Sequence, residues 1–254
     1  MRDNRQVLIV GGGSPVAFQI AVDLCRDGAE VCLMGRREEQ LKKNKTEIEA
    51  KSSGSPVRIC EFDTSIPELQ EENALIKRTE KLNFWPNAIV FVIGSGAGAV
   101  PLGLERSELQ RIFDVNFFSI AFVMDEFKRH LKANESSVVF ISSIASKTYV
   151  NAPIGYACAK AALNSLASCL AVEMAPNCRI NTLLLGNLMH SNSVWSDKLI
   201  NEKQQVNQML KEKVPLGTFG NLRNVSKMVC HCISSDSKFM TGAEIVIDGG
   251  QSLL

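Results

Sequence analysis

A tyrosine and a lysine stand four residues apart just after an apolar run that ends in two serines. Tyr156 and Lys160 begin a pattern with helical periodicity, and residues four apart lie on one face of a helix. A free phenol has a pKa of about 10. An ammonium group about 4 Å away favours the phenolate by roughly 4 kcal/mol at an effective dielectric constant of ~20. The pair therefore predicts a proton donor and acceptor that works near neutral pH.

Ser143 lies thirteen residues before Tyr156, at the end of a predicted strand. From this place its hydroxyl can hydrogen-bond a substrate oxygen while the phenol transfers a proton to it. The Tyr-x-x-x-Lys spacing alone is equally compatible with a partly exposed helix start. The other motifs of the chain therefore have to decide its meaning.

The composition favours a globular protein. The chain has 254 residues, of which 45% are hydrophobic and 22% charged, and this is enough to bury a large core in one domain. A net charge of +1 indicates neither nucleic-acid nor membrane-surface binding. Apolar runs such as 88–93 are much shorter than the ~18 residues of a membrane span. Because MRDNRQ leads directly into the first strand pattern, we expect no signal peptide and a cytoplasmic location.

The eight cysteines lie in apolar segments and lack the spacing of paired metal ligands. Cys230, His231 and Cys232 are the only cluster, and alternate residues of a helix face apart. We expect reduced thiols and no metal site.

A glycine-rich turn, Gly11 to Ser14, stands between a strand pattern and a helical pattern. The first N–H groups of a helix have no internal partner and attract an anion such as a pyrophosphate. The usual glycine-rich turn of this kind carries three glycines at fixed spacing. With Gly11 as the first, Pro15 and Ala17 occupy the positions of the second and third. Ala17 suits helix–strand packing, whereas Pro15 removes a donor where the backbone approaches phosphate. Ser14 as N-cap with Pro15 at the first helical position also describes a well-capped helix that binds nothing.

Two arginines and an aspartate follow the next two strand patterns. Arg36 and Arg37 suit the 2′-phosphate of NADP, whereas NAD sites place an acid there. The same arginines also begin a charged helical face. Asp63 is expected either to cap a turn or to reach the adenine. The small residues 94–98 allow a backbone to lie close to a ligand, or form a flexible turn.

Asn116 lies among phenylalanines within a helical pattern over 104–132. A buried asparagine must be hydrogen-bonded, and from these residues alone a structural role is the simplest explanation.

Seven strand patterns alternate with helical ones. They cover residues 7–10, 30–34, 57–62, 87–93, 137–141, 179–185 and 244–247. This alternation predicts an α/β fold with a Rossmann-type, doubly wound parallel sheet and helices on both faces. Residues 188–214 show no strand period and are predicted to form a helical insertion that covers a bound substrate.

With these residues in place, the chain resembles the short-chain dehydrogenase/reductase family over nearly its whole length. The matching residues are Asn116 in DVN, Ser143 in ISSIAS, Tyr156 and Lys160 in YACAK, Arg179-Ile180-Asn181, Pro215-Leu216-Gly217, Thr241-Gly242 and Asp248-Gly249-Gly250. Together these motifs are highly specific, although none of them is so alone.

The resemblance implies an NAD(P)-dependent oxidoreductase, with NADP(H) favoured by the arginines, that transfers hydride between the nicotinamide and a carbonyl or alcohol carbon. Tyr156 would be the general acid/base, Ser143 would orient the substrate, Lys160 would lower the phenol pKa and bind the ribose, and Asn116 would hold a water. The residues implied to contact the cofactor are Gly11, Ser14, Val16, Arg36, Arg37, Asp63, Gly94, Tyr156, Lys160, Gly186 and Leu188. The family commonly forms dimers or tetramers through the helices that contain Asn116 and Tyr156.

The chain also departs from the family pattern. Residues 10–17 replace TGxxxGxG, residues 91–94 replace NNAG, and Leu185-Gly186 replaces PG. The segment SPVAF is similar to a motif of the enoyl-reductase branch, but that branch spaces its tyrosine and lysine more widely, which argues against enoyl reduction. One alternative is therefore a non-catalytic nucleotide-sensing or scaffolding protein. Another keeps the cofactor and performs dehydration or epimerisation through transient oxidation.

Overall fold

A seven-stranded parallel sheet forms the centre of the computed structural model, which describes residues 5–52, 55–66, 72–96, 99, 102–190 and 193–254. Its strands are β1 (Gln6–Val10), β2 (Glu30–Gly35), β3 (Val57–Glu61), β4 (Ala88–Phe91), β5 (Ser136–Ser143), β6 (Cys178–Leu185) and β9 (Glu244–Ile247). They lie in the order β3-β2-β1-β4-β5-β6-β9. The order reverses between β1 and β4, where doubly wound folds bind ligands at the carboxyl ends of the strands. The predicted fold class is confirmed.

Helices cover both faces of the sheet. They are α1 (Pro15–Arg26), α2 (Glu38–Lys51), α3 (Ala74–Lys81), α4 (Arg106–Phe113), α5 (Ser119–Ala133), α6 (Ile154–Glu173), α7 (Val194–Asn201), α8 (Lys203–Lys213) and α9 (Leu222–Ile233). None of the helices in the described ranges combines the length and the apolar character that crossing a bilayer requires.

Strand β1 shows how one strand supplies two cores. Val7 and Ile9 point into the cluster formed with α1, α2 and α9, whereas Leu8 and Val10 point into the cluster formed with α3, α5 and α6. Successive side chains of a strand face opposite sides, so a run that is apolar at every position is buried on both faces. The sheet is therefore held between two helical layers, and its carboxyl edge stays available for a site.

The helical pattern over 104–132 differs from the prediction in one respect. Helices α4 and α5 are separated by a π-helical turn, Asp114–Phe118. Single π-turns within helices are often found at functional sites. Here the turn contains Asn116, which is fully buried.

The segment predicted as a helical insertion contains α7 and α8, but it begins with a short strand. This strand, β7 (Leu188–Met189), pairs in parallel with β8 (Gly220–Asn221). A Cβ atom at Gly220 would lie 2.7 Å from Cδ2 of Leu188, so the leucine side chain packs directly over the glycine. The two strands tie together the ends of the intervening segment.

Candidate active site

The glycine turn after β1 is held in place from three sides. The N–H groups of Gly11 and Gly12 both donate to the Met34 carbonyl of β2, at 3.0 and 2.8 Å. The Asn44 side chain of α2 donates to the Gly12 carbonyl at 2.9 Å. Gly11 has a φ of +92°, and a Cβ atom there would lie 2.7 Å from the Val92 carbonyl oxygen. The turn is thus well defined although two glycines of the motif are missing.

Asn44 is a buried residue that the sequence reasoning missed. A signal was present, because Leu41, Asn44 and Ile48 follow helical spacing in a charged segment and are the buried residues of α2. A polar residue on such a stripe needs a partner inside the fold, and Gly12 provides it.

Pro15 does not disturb the helix start. Ser14 is the N-cap of α1, its hydroxyl accepts the Ala17 N–H at 3.1 Å, and Pro15 occupies the first turn. At this position a proline loses no intrahelical hydrogen bond. The first-turn N–H that helix geometry leaves without an intrahelical acceptor belongs to Val16.

A cavity of about 480 Å³ lies at the carboxyl ends of β1, β2, β3 and β4. Among the residues implied to contact the cofactor, those that line it are Gly11, Ser14, Arg36, Arg37, Asp63 and Gly94. Val16, Tyr156, Lys160, Gly186 and Leu188 are not among its lining residues. The structure therefore brings together the adenosine end of the predicted site and leaves the remaining residues outside this cavity.

Two features of the cavity concern charge. Arg36 and Arg37 are exposed, and within the described ranges neither forms an ion pair, so both guanidinium groups are available to an anion. Asp63 accepts hydrogen bonds from the backbone N–H and the hydroxyl of Ser65, at 3.0 and 2.6 Å. Its turn-capping role is thus observed, and it lines the cavity at the same time.

Lys160 joins the ends of two strands. Its side chain is buried, and Nζ donates to the carbonyl oxygens of Ile93 and Ile141 at 3.0 and 3.3 Å. Burial lowers the pKa of Lys160 to about 8. The ammonium group therefore remains mainly protonated at neutral pH, one turn from Tyr156.

The expected effect of Lys160 on Tyr156 is not found. Nζ lies 5.8 Å from the centroid of the Tyr156 ring, and burial raises the pKa of the phenol, with a hydrogen bond to the Ser143 side chain opposing the rise. The direction of the phenol pKa shift is therefore opposite to the prediction, because the phenol is desolvated.

Asn116 is held by backbone groups on both sides. Its Nδ2 donates to the carbonyl oxygens of Ser95 and Ile112 at 3.0 and 2.9 Å, and its Oδ1 accepts the Ser95 N–H at 3.1 Å. The structural role expected for a buried asparagine is thus observed. Its role as a water ligand stays a prediction.

Gly94 connects the cavity with the proton-transfer residues. It lines the cavity, and a Cβ atom there would lie 2.7 Å from Nζ of Lys160 and 3.1 Å from Oδ1 of Asn116. The absence of a side chain lets both polar groups approach the cavity.

Ser143 ends β5 and caps the single-turn 3₁₀ helix Ile144–Ser146. Its hydroxyl oxygen accepts the Ala145 N–H at 3.2 Å. This bond fixes the hydroxyl oxygen and leaves its proton for donation.

Gly186 and Leu188 follow β6 on the opposite side of β5. The Gly186 N–H donates to the Ile247 carbonyl at 3.0 Å, and a Cβ atom there would lie 2.7 Å from Cβ of Asp248. Leu188 packs over Gly220. These contacts give Gly186 and Leu188 a structural role in the fold. Their contact with a nicotinamide stays a prediction.

Known proteins share this arrangement over nearly the whole chain. A family model described as enoyl-(acyl carrier protein) reductase matches residues 12–252. D-Erythrulose reductase from Gallus gallus is 27% identical, over 97% of this chain and 95% of its own.

Solved structures show the same fold. A short-chain type dehydrogenase/reductase from Mycobacterium ulcerans superposes with a TM-score of 0.87 at 24% identity, covering 99% of this chain and 90% of its own. L-Sorbose reductase from Gluconobacter frateurii, solved with NADPH and L-sorbose, gives 0.89 at 18% identity and covers 99% and 98%. The chain therefore belongs to the short-chain dehydrogenase/reductase family of NAD(P)-dependent oxidoreductases.

Proposed function

We propose that this chain is an NADP(H)-dependent reductase of carbonyl groups, with Asn116, Ser143, Tyr156 and Lys160 at its catalytic centre. The observation that carries the proposal is the position of Gly94. It lines the cavity, and a Cβ atom there would lie 2.7 Å from Nζ of Lys160 and 3.1 Å from Oδ1 of Asn116. When bound, the nicotinamide supplies the hydride or accepts it.

Tyr156 moves the proton in this proposal. Burial raises its pKa, so the phenol is protonated at neutral pH and can donate to a substrate oxygen that gains negative charge. The Ser143 hydroxyl donates a hydrogen bond to the same oxygen and keeps its proton. Lys160, which is fixed to the carbonyl oxygens of Ile93 and Ile141, is proposed to bind the cofactor ribose. The protonated phenol is thus the proposed proton donor of the reductive direction.

The arginines carry the preference for NADP(H). Arg36 and Arg37 line the cavity without an acidic partner in the described ranges, and a guanidinium group matches the geometry of a phosphate. Gly11, Ser14, Val16, Asp63, Gly94, Gly186 and Leu188 are proposed to hold the rest of the cofactor. The non-catalytic alternative was motivated by Pro15, which costs the helix no hydrogen bond in the observed turn.

Small polyhydroxy ketones are the proposed substrates. Two of the relatives described above reduce ketoses, D-erythrulose and L-sorbose according to their names. We also propose that residues 1–254 form one dinucleotide-binding and catalytic domain in which residues 188–214 cover the substrate. The pairing of β7 with β8 supports this, because it holds both ends of the segment together. The cytoplasmic location stays a prediction.

The experiment is a screen of purified protein with NADPH and with NADH against D-erythrulose, L-sorbose and a 3-oxoacyl thioester, monitored by cofactor absorbance. We expect faster oxidation of NADPH than of NADH with a ketose. Absence of NADPH binding by fluorescence, together with absence of turnover, would contradict the proposal.

A homodimer or homotetramer is proposed through the helical segments that contain Asn116 and Tyr156. Apolar side chains of these segments are exposed: Phe118 of the π-helical turn to 46%, and Val172 and Ile154 of α6 to 77% and 36%. Exposed apolar patches often mark interfaces. Light scattering coupled to gel filtration checks the mass, and a monomer at all concentrations would contradict this part.

A further inference from the structure

Three polar side chains, two of them buried, surround Ser143 without taking part in the proton transfer described above. Ser142 precedes it in β5, Ser146 ends the 3₁₀ turn, and Asn164 follows Lys160 by one turn of α6. Ser142 and Asn164 are 4% and 5% exposed. Buried polar groups of this kind require partners, and these three residues are partners of one another.

The hydrogen bonds form a chain in which each side chain donates to the next. The Ser142 hydroxyl donates to Oδ1 of Asn164 at 2.7 Å, and Nδ2 of Asn164 donates to the Ser146 hydroxyl at 2.8 Å. The Ser146 hydroxyl donates in turn to the Ser143 carbonyl at 2.6 Å. Asn164 thus holds the residue before Ser143 and, through Ser146, the backbone of Ser143 itself.

This network also acts on the Ser143 hydroxyl. The hydroxyl oxygen accepts the Ala145 N–H inside the 3₁₀ turn, and Asn164 binds the last residue of that turn. Because Asn164 lies on the same helix as Tyr156 and Lys160, it connects the strand that carries Ser143 with the helix that carries the acid. The distance between the two hydroxyls therefore depends on a side chain that touches neither.

We propose that Asn164 is a positioning residue that sets the Ser143 hydroxyl against Tyr156. The inference rests on the proposed carbonyl reduction, since it assigns a role within that reaction. Its signature is a loss of kcat with unchanged cofactor binding, because none of the three side chains of the network lines the cavity.

The test compares Asn164→Leu with a matched variant, Asn181→Leu. Asn181 is also buried, donates to the Met240 carbonyl at 3.0 Å and accepts the Ala243 N–H at 3.1 Å. It lies in β6 four residues before Leu185, the register partner of Ser143, a separation of about 13 Å along the strand. Both variants lose two buried hydrogen bonds, but only one of them borders Ser143.

With NADPH and the ketose that the wild type reduces, we expect Asn164→Leu to lower kcat roughly 10- to 100-fold. Its NADPH affinity stays within about twofold of the wild type, by fluorescence titration. Asn181→Leu lowers the melting temperature and leaves kcat of the folded protein unchanged. Ser146→Ala, a milder change, also lowers kcat.

A double-variant cycle with Ser143→Ala separates positioning from general loosening. If Asn164 acts through Ser143, then Asn164→Leu has little further effect in the Ser143→Ala background. The role of Asn164 is overturned if the kcat losses of Asn164→Leu and Ser143→Ala multiply in full in the double variant. It is also overturned if Asn164→Leu and Ser146→Ala both keep the wild-type kcat. In either case the proposed function stands. A wild type that neither binds NADPH nor reduces a ketose overturns both.

Discussion

Nζ of Lys160 lies 3.0 Å from the carbonyl oxygen of Ile93, the residue that precedes Gly94. The ammonium group of helix α6 is thereby fixed to the strand end that borders the cavity. This bond connects one of the residues proposed for proton transfer with the cavity proposed to hold the cofactor.

Removal of the phenol hydroxyl should stop turnover without releasing the cofactor. We expect Tyr156→Phe to lower kcat by roughly 10²- to 10⁴-fold, because the general acid is lost. Fluorescence titration should give an NADPH affinity close to that of the wild type, since Tyr156 does not line the cavity. Turnover retained in this variant would refute the assigned role.

The stability of the protein should depend on the titration of Lys160. Its pKa is about 8 in the folded chain, below its ordinary value of about 10.4. Between these values the unfolded chain binds more protons, so the contribution of this group to stability rises with pH across this window and is lost as pH falls through it.

The variant Lys160→Met should lack this dependence. The melting temperature of Lys160→Met minus that of the wild type should be highest near pH 7. This difference should fall by roughly 5 °C towards pH 10. Thermal unfolding followed by circular dichroism at several pH values measures the difference. A constant difference across the window would show that burial leaves the lysine pKa unchanged.

The arginines of the cavity should discriminate between the two nicotinamide cofactors. Replacement of Arg36 and Arg37 by serine should weaken NADPH binding roughly 10- to 100-fold, the effect of a lost hydrogen bond to a charged group. NADH binding should change little. The double replacement of Arg223 and Lys227 by serine, two exposed cationic residues on α9, serves as the control for net charge. Equal weakening of both cofactors would place the arginines away from the 2′-phosphate.

Much of the architecture could be predicted because periodicity reports burial directly. Val7 to Val10 are apolar at every position, and the strand is buried on both faces. The pair Tyr156 and Lys160 was recognisable because helical spacing fixes which side chains share a face. The cavity, too, could be anticipated, since parallel strands end at one edge of a sheet.

What could not be predicted depends on contacts between distant segments. The direction of the Tyr156 pKa shift follows from desolvation of the phenol, which residue spacing does not reveal. The π-helical turn at Asn116 leaves no periodic signal over five residues. Asn44 and Asn164 were overlooked because a polar residue in a helix is usually exposed.

The short pairing of Leu188 with Gly220 and of Met189 with Asn221 has a consequence for how new specificities arise. The pairing holds the two ends of the intervening segment together, and it is separate from the seven-stranded sheet. The segment lies outside the seven strands and contains none of Asn116, Ser143, Tyr156 and Lys160. On the proposal that it covers the substrate, substitutions in it can change selectivity, in nature or in the laboratory, while the residues proposed for catalysis are kept.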